Sequence, residues 1–321
     1  MAANVAPFPK SSLRSAEKVR SLPVRPPAVM PTAAIGPAGT GPDLPPDDPY
    51  LQEVKGALAD GFGGIILAGP PGTSKTWYAA RLAAALTGND PARVRFLQFH
   101  PSYQYDDFVQ GWVPEGGHFE LANKHLLVMA GLAAKASGQP FILVIDELSR
   151  TDPARVFGEA LTYIEASKRG QSFSLASGTK AAIPPNLIII ATMNTFDRGV
   201  DDVDAAFDRR FAKLEMLPDE RILEQFLNEA TMELTLRKRV LRFFGWLQRH
   251  PNPHCRIGHT YFRQIADETG LKRRWRQQLR FVLKKAFPLS DPGFKSVEDA
   301  WEKIFTQDSE REATPEPQPP Q

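Results

Sequence analysis

The chain has 321 residues, 42% hydrophobic and 24% charged, with a formal net charge of +2. That is length for one large domain or two modest ones with a substantial core. The near-neutral balance gives no global electrostatic sign of a nucleic-acid binder, and leaves room only for a local basic face. The single cysteine, Cys255, excludes an intramolecular disulfide and fits a reducing compartment. The N-terminus lacks the apolar core of a signal peptide. The longest apolar runs, such as LIIIATM at 187–193, are too short to span a bilayer. A cytoplasmic protein with no membrane partner is expected.

Residues 1–49 are rich in Pro, Ala, Gly and Ser and lack apolar periodicity, so a disordered arm is expected there; the tail 307–321, ending TPEPQPPQ, reads the same way. Between them strands and helices alternate. GGIILAG (63–69), VRFLQFH (94–100), PFILVIDE (140–147), NLIIIATMN (186–194) and RFAKLEML (210–217) read as strands. KTWYAARLAAALTG (75–88), LANKHLLVMAGLAAKA (121–136) and ARVFGEALTYIEASK (154–168) read as helices. Continuous rather than alternating apolar runs suit strands covered on both faces. The alternation predicts a parallel α/β sheet over residues 50–218. From about residue 219 to 306 only helical patterns remain, predicting a second, all-helical subdomain.

The segment GPPGTSKT (69–76) lies between the first strand and the first helix. It fits a phosphate-binding loop, G-x-x-x-x-G-K-[ST], at every position except Ser74, where the second glycine belongs. In such a loop backbone N–H groups and the helix dipole attract phosphate. Gly69, Pro70, Pro71, Gly72, Thr73 and Ser74 would form the cradle, Lys75 would reach the β- and γ-phosphates, and Thr76 would ligate Mg²⁺. A serine at position 74 is tolerable if its φ is negative.

FILVIDE places Asp146 and Glu147 at the carboxyl end of a buried strand, an expensive place for two acids unless they have work there. In a nucleotide hydrolase the aspartate holds the Mg²⁺ shell and the glutamate activates water. Asn194 ends the fourth strand, where its amide could touch the γ-phosphate or the attacking water. Arg209 and Arg210 precede the fifth strand; offered to a neighbouring subunit, they would stabilise transition-state charge.

Together these residues resemble the AAA+ superfamily, and more narrowly the McrB-like NTPases of modification-dependent restriction systems. The resemblance covers roughly residues 50–290. It rests on GPPGTSKT, FHPSYQYDDFVQGW (99–112), FILVIDELSRTDPARVFGEALTYIE, IPPNLIIIATMNTFDRGVDDVDAAFDRRF and RIGHTYF (256–262), in that order. It implies an ATP- or GTP-hydrolysing enzyme with Mg²⁺, a five-stranded parallel sheet of order 5-1-4-3-2, and a helical lid entered at RIGHTYF. It also implies a homo-oligomeric ring, usually a hexamer, with a separate McrC-like nuclease subunit and DNA engaged through the complex. By position it assigns Lys75 and Thr76 to Walker A, Asp146 and Glu147 to Walker B, Asn194 to sensor 1, and Arg209 and Arg210 to the trans-acting arginines. A MoxR-type remodeller of protein partners and a weakly hydrolysing assembly scaffold are the alternatives.

Ser74, Ser149, Phe196 and Asp208 depart from the family pattern. GWVPEGGHFEL (111–121) reads as a hairpin, either a pore element or a surface turn. LKRRWRQQLRFVLKK (271–285) reads as an amphipathic helix with Leu271, Trp275, Leu279, Val282 and, just beyond it, Phe287 inward, a nucleic-acid surface being the alternative. His254, Cys255 and His259 lie close in sequence but lack the spacing and number of zinc ligands.

Overall fold

The computed structural model of the chain describes residues 43–196, 207, 209–288 and 291–306. Helix α1 (Pro49–Ala59) starts where Asp48 Oδ1 accepts the Leu51 N–H at 3.0 Å, with proline at the first helical position. Leu44 packs on the core below it, so order begins a few residues inside the stretch expected to be a disordered arm. The remainder of that arm and the 307–321 tail lie outside the described residues.

The elements then follow as β1 (Gly64–Gly69), α2 (Lys75–Thr87), β2 (Val94–Gln98), α3 (Tyr105–Phe108), β3 (Gln110–Glu115), β4 (His118–Asn123), α4 (His125–Lys135), β5 (Phe141–Asp146), α5 (Pro153–Phe157), β6 (Phe173–Ser174), β7 (Lys180–Ala181), β8 (Leu187–Asn194) and β9 (Phe211–Glu215). Five of these strands form one parallel sheet in the spatial order β2-β5-β8-β1-β9.

Both faces of the sheet are covered. Ile66, Leu143, Ile145 and Ile189 pack on one side with Leu126, Met129 and Phe157. Ile65, Leu67, Ile142, Val144 and Ile190 pack on the other with Leu51, Ala79 and Leu82. This explains why the strands read as unbroken apolar runs: successive side chains enter opposite cores. Each such side chain, fully buried, contributes about 1.5–3 kcal/mol.

Two helical expectations are corrected. The segment 154–168 is not one helix: α5 stops at Gly158, which has φ 51 and ψ −134, and 3-10 turns continue to Lys168. That conformation suits glycine, and a Cβ there would meet the Tyr105 ring at 2.7 Å. Residues 121–123 belong to β4 rather than to the following helix, which starts at His125. Strands β3 and β4 form an antiparallel hairpin whose two-residue turn, Gly116-Gly117, has both residues at positive φ. Trp112 and Phe119 on this hairpin are exposed.

Beyond β9 the described chain is helical. Asp219 caps the helix Glu220–Glu229, Glu233 the helix Leu234–Arg249 and Asp267 the helix Glu268–Arg274, each accepting first-turn N–H groups. A π-turn (Trp275–Leu279) interrupts the expected continuous helix before Arg280–Lys284, and Gly293–Glu302 follows. Leu271, Trp275 and Leu279 are buried with Leu223, Val240, Phe244 and Val297, and Trp275 stacks on Trp301 at 4.5 Å. The basic side chains of 272–280 lie on the other side, mostly exposed. Among the described residues no helix is long and apolar enough to cross a membrane.

Candidate nucleotide site

Strand register brings the expected residues to one edge. Gly69 at the end of β1 is opposite Asn194 at the end of β8, and Asp146 ends β5 on the far side of β8. The phosphate loop therefore opens beside Asn194 and near the acids.

Within the loop, Gly69 is required by packing: a Cβ would fall 2.2 Å from the Met216 carbonyl oxygen. Gly72 is left-handed at φ 83. Thr73 is buried and its hydroxyl donates to Pro70 O at 3.0 Å, closing the turn. Lys75 Nζ donates to Gly69 O at 2.9 Å and Pro70 O at 2.7 Å, so the cation is held against the loop's own carbonyls at the start of α2. Ser74 does not meet the condition of a negative φ. It sits at φ 66 and ψ 19, the conformation a glycine would take freely. For serine that costs roughly 1–2 kcal/mol.

The acids are organised by two threonines. Thr76 Oγ1 donates to Asp146 Oδ1 at 2.9 Å, across 70 residues of sequence. Thr192 Oγ1 donates to the same oxygen at 2.5 Å and accepts the Glu147 N–H at 3.1 Å. Glu147 is itself left-handed, φ 60 and ψ 47, and its carboxylate pairs with Arg150 Nε at 3.1 Å. A strained non-glycine residue at a polar strand end is characteristic of functional sites. Thr192 was not singled out as a site residue from sequence; the available signal was one hydroxyl, 3% exposed, inside the apolar run LIIIATM. The hydroxyl of Thr76 and the carboxylate of Asp146 form an all-oxygen set that fits a hard divalent cation such as Mg²⁺.

Asn194 Oδ1 accepts the Phe196 N–H at 3.2 Å, while Thr195 N–H donates to Gly69 O at 3.2 Å. The side chain thus turns back at the strand end beside the loop. The Phe196 ring lies 4.6 Å from the His254 ring. Arg209 and Arg210 are elsewhere. They precede Phe211, which pairs with Gly64 at the amino end of β1, about 17 Å along the strand from Gly69 at 3.3 Å per residue. Arg209 is exposed. This pair is not brought to the chain's own phosphate loop. Asp208 lies outside the described residues.

The RIGHTYF block lies directly on the loop. Gly258 N–H donates to Pro71 O at 2.9 Å, Thr260 N–H to Gly72 O at 3.0 Å, and Thr260 Oγ1 to the same carbonyl at 3.0 Å. A Cβ on Gly258 would fall 2.0 Å from the Gly72 carbonyl, so only glycine permits this approach. His259, considered from sequence only as a zinc ligand, instead places Nε2 2.9 Å from Ser74 Oγ and is 1% exposed. Burial pushes its imidazole down to about 4, with Asp219 opposing the shift.

Beside Thr73 a cavity of about 330 Å³ is walled by Pro49, Tyr50, Tyr78, Leu217, Asp219 and Ile222. Tyr50 and Tyr78 meet edge to face at 5.0 Å. Burial pushes the Tyr78 hydroxyl up to about 12, so this wall presents neutral phenol. The cavity is mostly apolar and also reaches Arg221, Gln225 and His259.

A parallel sheet with a GPPGTSKT loop, two acids and a polar strand-end residue along one carboxyl edge is the arrangement of a P-loop nucleotide-binding domain. Accordingly, residues 64–211 match the family model described as AAA domain (dynein-related subfamily), a span running from β1 to the first residue of β9.

Two curated relatives narrow the class. The Type IV methyl-directed restriction enzyme EcoKMcrB subunit of Escherichia coli (strain K12) is 33% identical over 247 residues, 72% of this chain and 53% of that protein. The Type II restriction enzyme BsuMI component YdiS of Bacillus subtilis (strain 168) is 26% identical over 188 residues, 46% of this chain and 55% of that protein. The chain belongs to the McrB-like AAA+ NTPases, and it spans about half the length of these curated relatives.

Proposed function

We propose that the chain hydrolyses ATP or GTP with Mg²⁺, acts as a homo-oligomeric ring of the hexameric kind, and powers a restriction complex whose nuclease is a separate, McrC-like subunit. The observation that carries the hydrolase reading is the Thr76–Asp146 bond, 2.9 Å long, between the phosphate loop and the end of β5. Thr76 and Asp146 hold Mg²⁺, which neutralises phosphate charge when bound. Gly69 through Ser74 cradle the phosphates, and Lys75 transfers its donors from the loop carbonyls to phosphate oxygens. Glu147 orients the attacking water, and Asn194 contacts the γ-phosphate or that water. The cavity bounded by Tyr50 and Asp219 takes the base.

Arg209 and Arg210 serve a neighbouring copy. Their place at the opposite end of β1 supports action across a subunit boundary rather than within one chain. The helices after Asp219 act as the lid. DNA is engaged through the assembled complex. A MoxR-type remodelling role is not favoured, since both relatives are restriction components.

The test is hydrolysis of ATP and of GTP by the full chain, with and without the product of a neighbouring nuclease gene. Turnover of one nucleotide, raised by the partner, is expected. Turnover of neither, or turnover indifferent to Lys75→Ala, contradicts the reading.

A further inference from the structure

Ser74 replaces a glycine of the usual phosphate-loop pattern, yet it keeps the glycine's left-handed backbone. Something must hold it there. Its hydroxyl makes no capping bond to α2. It lies instead 2.9 Å from His259 Nε2, 185 residues along the chain.

The direction of that bond follows from the other side of the ring. His259 Nδ1 is the acceptor for the Asp219 N–H at 3.2 Å. A backbone N–H only donates, so Nδ1 carries a lone pair and the proton of the neutral ring sits on Nε2. Nε2–H therefore donates and Ser74 Oγ accepts. A continuous path runs from the amide of Asp219, the residue whose carboxylate caps the helix Glu220–Glu229, through a buried imidazole to the phosphate loop. The neighbouring bonds to Pro71 O and Gly72 O are made by main chain or by Thr260 and do not depend on Ser74. A glycine at position 74 would lack the hydroxyl and leave His259 without this partner.

We propose that the Ser74–His259 bond couples nucleotide occupancy of the phosphate loop to the docking of residues 257–262, with His259 as a positioning residue for Ser74. This rests on the reading of the loop as a nucleotide site. The backbone at Ser74 sets how the loop enters α2, whose first N–H groups are the natural phosphate donors. His259 holds that backbone in the state a glycine would visit only part of the time. Conversely, phosphate that fixes the loop fixes the acceptor for His259, and so secures the helical region. Linkage makes the effect reciprocal.

The experiment uses the full chain. Binding of N-methylanthraniloyl ATP and GTP is measured by fluorescence, and amide exchange of residues 257–262 is followed with and without that nucleotide. In the wild type, nucleotide slows exchange in 257–262. Ser74→Ala, which keeps the strain and loses the acceptor, weakens binding roughly five- to tenfold, the size of one hydrogen bond, and reduces the nucleotide-dependent slowing to the part carried by the Gly258 and Thr260 bonds. Ser74→Gly relieves the strain, so it weakens binding less than Ser74→Ala but reduces the slowing equally. His259→Gln retains a donor at the Nε2 position and recovers most of both effects relative to His259→Ala.

Wild-type affinity and wild-type slowing in Ser74→Ala overturn the coupling. So does an equal loss of thermal stability with and without nucleotide at unchanged affinity, which marks a purely structural bond. If Lys75→Ala binds nucleotide as well as wild type, the phosphate-loop reading fails, and the coupling with it.

Discussion

Thr192 and Asp146 are joined by a 2.5 Å hydrogen bond between adjacent parallel strands, and the same threonine oxygen accepts the Glu147 N–H. One buried hydroxyl thus sets the carboxylate proposed to face the metal and the backbone of the acid proposed to face water. Replacing Thr192 with valine preserves the shape but deprives Asp146 of a donor and Glu147 N–H of an acceptor. We expect nucleotide turnover to fall about tenfold, in the range seen for residues that orient metal ligands. Steady-state hydrolysis over a Mg²⁺ titration checks this; wild-type turnover at every Mg²⁺ concentration would assign Thr192 to packing alone.

The arginine pair lies at the opposite end of β1 from the phosphate loop. A chain carrying Arg209→Ala and Arg210→Ala is therefore expected to bind nucleotide and turn over poorly by itself. Lys75→Ala is expected to be inactive for a different reason, an empty loop. Mixed, the two chains should recover part of the activity, because sites with an intact Lys75 meet neighbours with intact arginines. A mixture no more active than its components removes the trans assignment.

Arg169 is a structural staple that sequence reading did not single out. Its guanidinium donates to the carbonyls of Ile164 at 2.7 Å, Gly63 at 2.7 Å, Leu187 at 2.6 Å and Pro184 at 3.2 Å. Burial pushes its pKa down to about 10, still charged at neutral pH. Arg169→Ala would orphan these carbonyls around the amino ends of β1 and β8, and we expect a loss of about 3 kcal/mol. Lysine should not rescue it, since a single ammonium cannot reproduce the fork. Urea unfolding of the three proteins measures the difference, and a change below 1 kcal/mol for Arg169→Ala contradicts this role.

His259 makes stability depend on acid. Its pKa is about 4 when folded and 6.5 when unperturbed, so between those values the unfolded chain binds more protons. The contribution is complete above pH 6.5 and is lost as the pH falls towards 4, amounting to roughly 3 kcal/mol at most. Burial also lowers His125 and His250, so wild type must be compared with His259→Gln. Thermal melts from pH 8 to pH 4 should converge for the two proteins as the pH falls. Curves that stay parallel would show that His259 does not carry the effect.

Much of the sheet was legible because its chemistry is local. GIILAG, FILVID and LIIIATMN announce buried strands, and the loop and acids sit at their ends. What was not legible depends on contacts between distant segments. Gly158 ended a helix that its neighbours favour, because the backbone there turns to a glycine-only conformation against Tyr105. Thr192 is one hydroxyl in an apolar run, and nothing local marks it as a site residue; strand register sets it beside Asp146. His259 looked like a stray histidine beside Cys255, whereas its partner is 185 residues away in the phosphate loop. Ser74 stood out as the departure from the loop pattern, but its left-handed backbone emerges only with the fold.

The central claim is that this site hydrolyses nucleoside triphosphate through Glu147. The most direct measurement is single-turnover hydrolysis of ATP and GTP by the wild-type chain and by Glu147→Gln, with partner protein supplied, alongside nucleotide binding. The expected result is retained binding in Glu147→Gln with hydrolysis reduced about a hundredfold or more, the scale of removing a positioned acid–base group. Equal hydrolysis by the two proteins would contradict it.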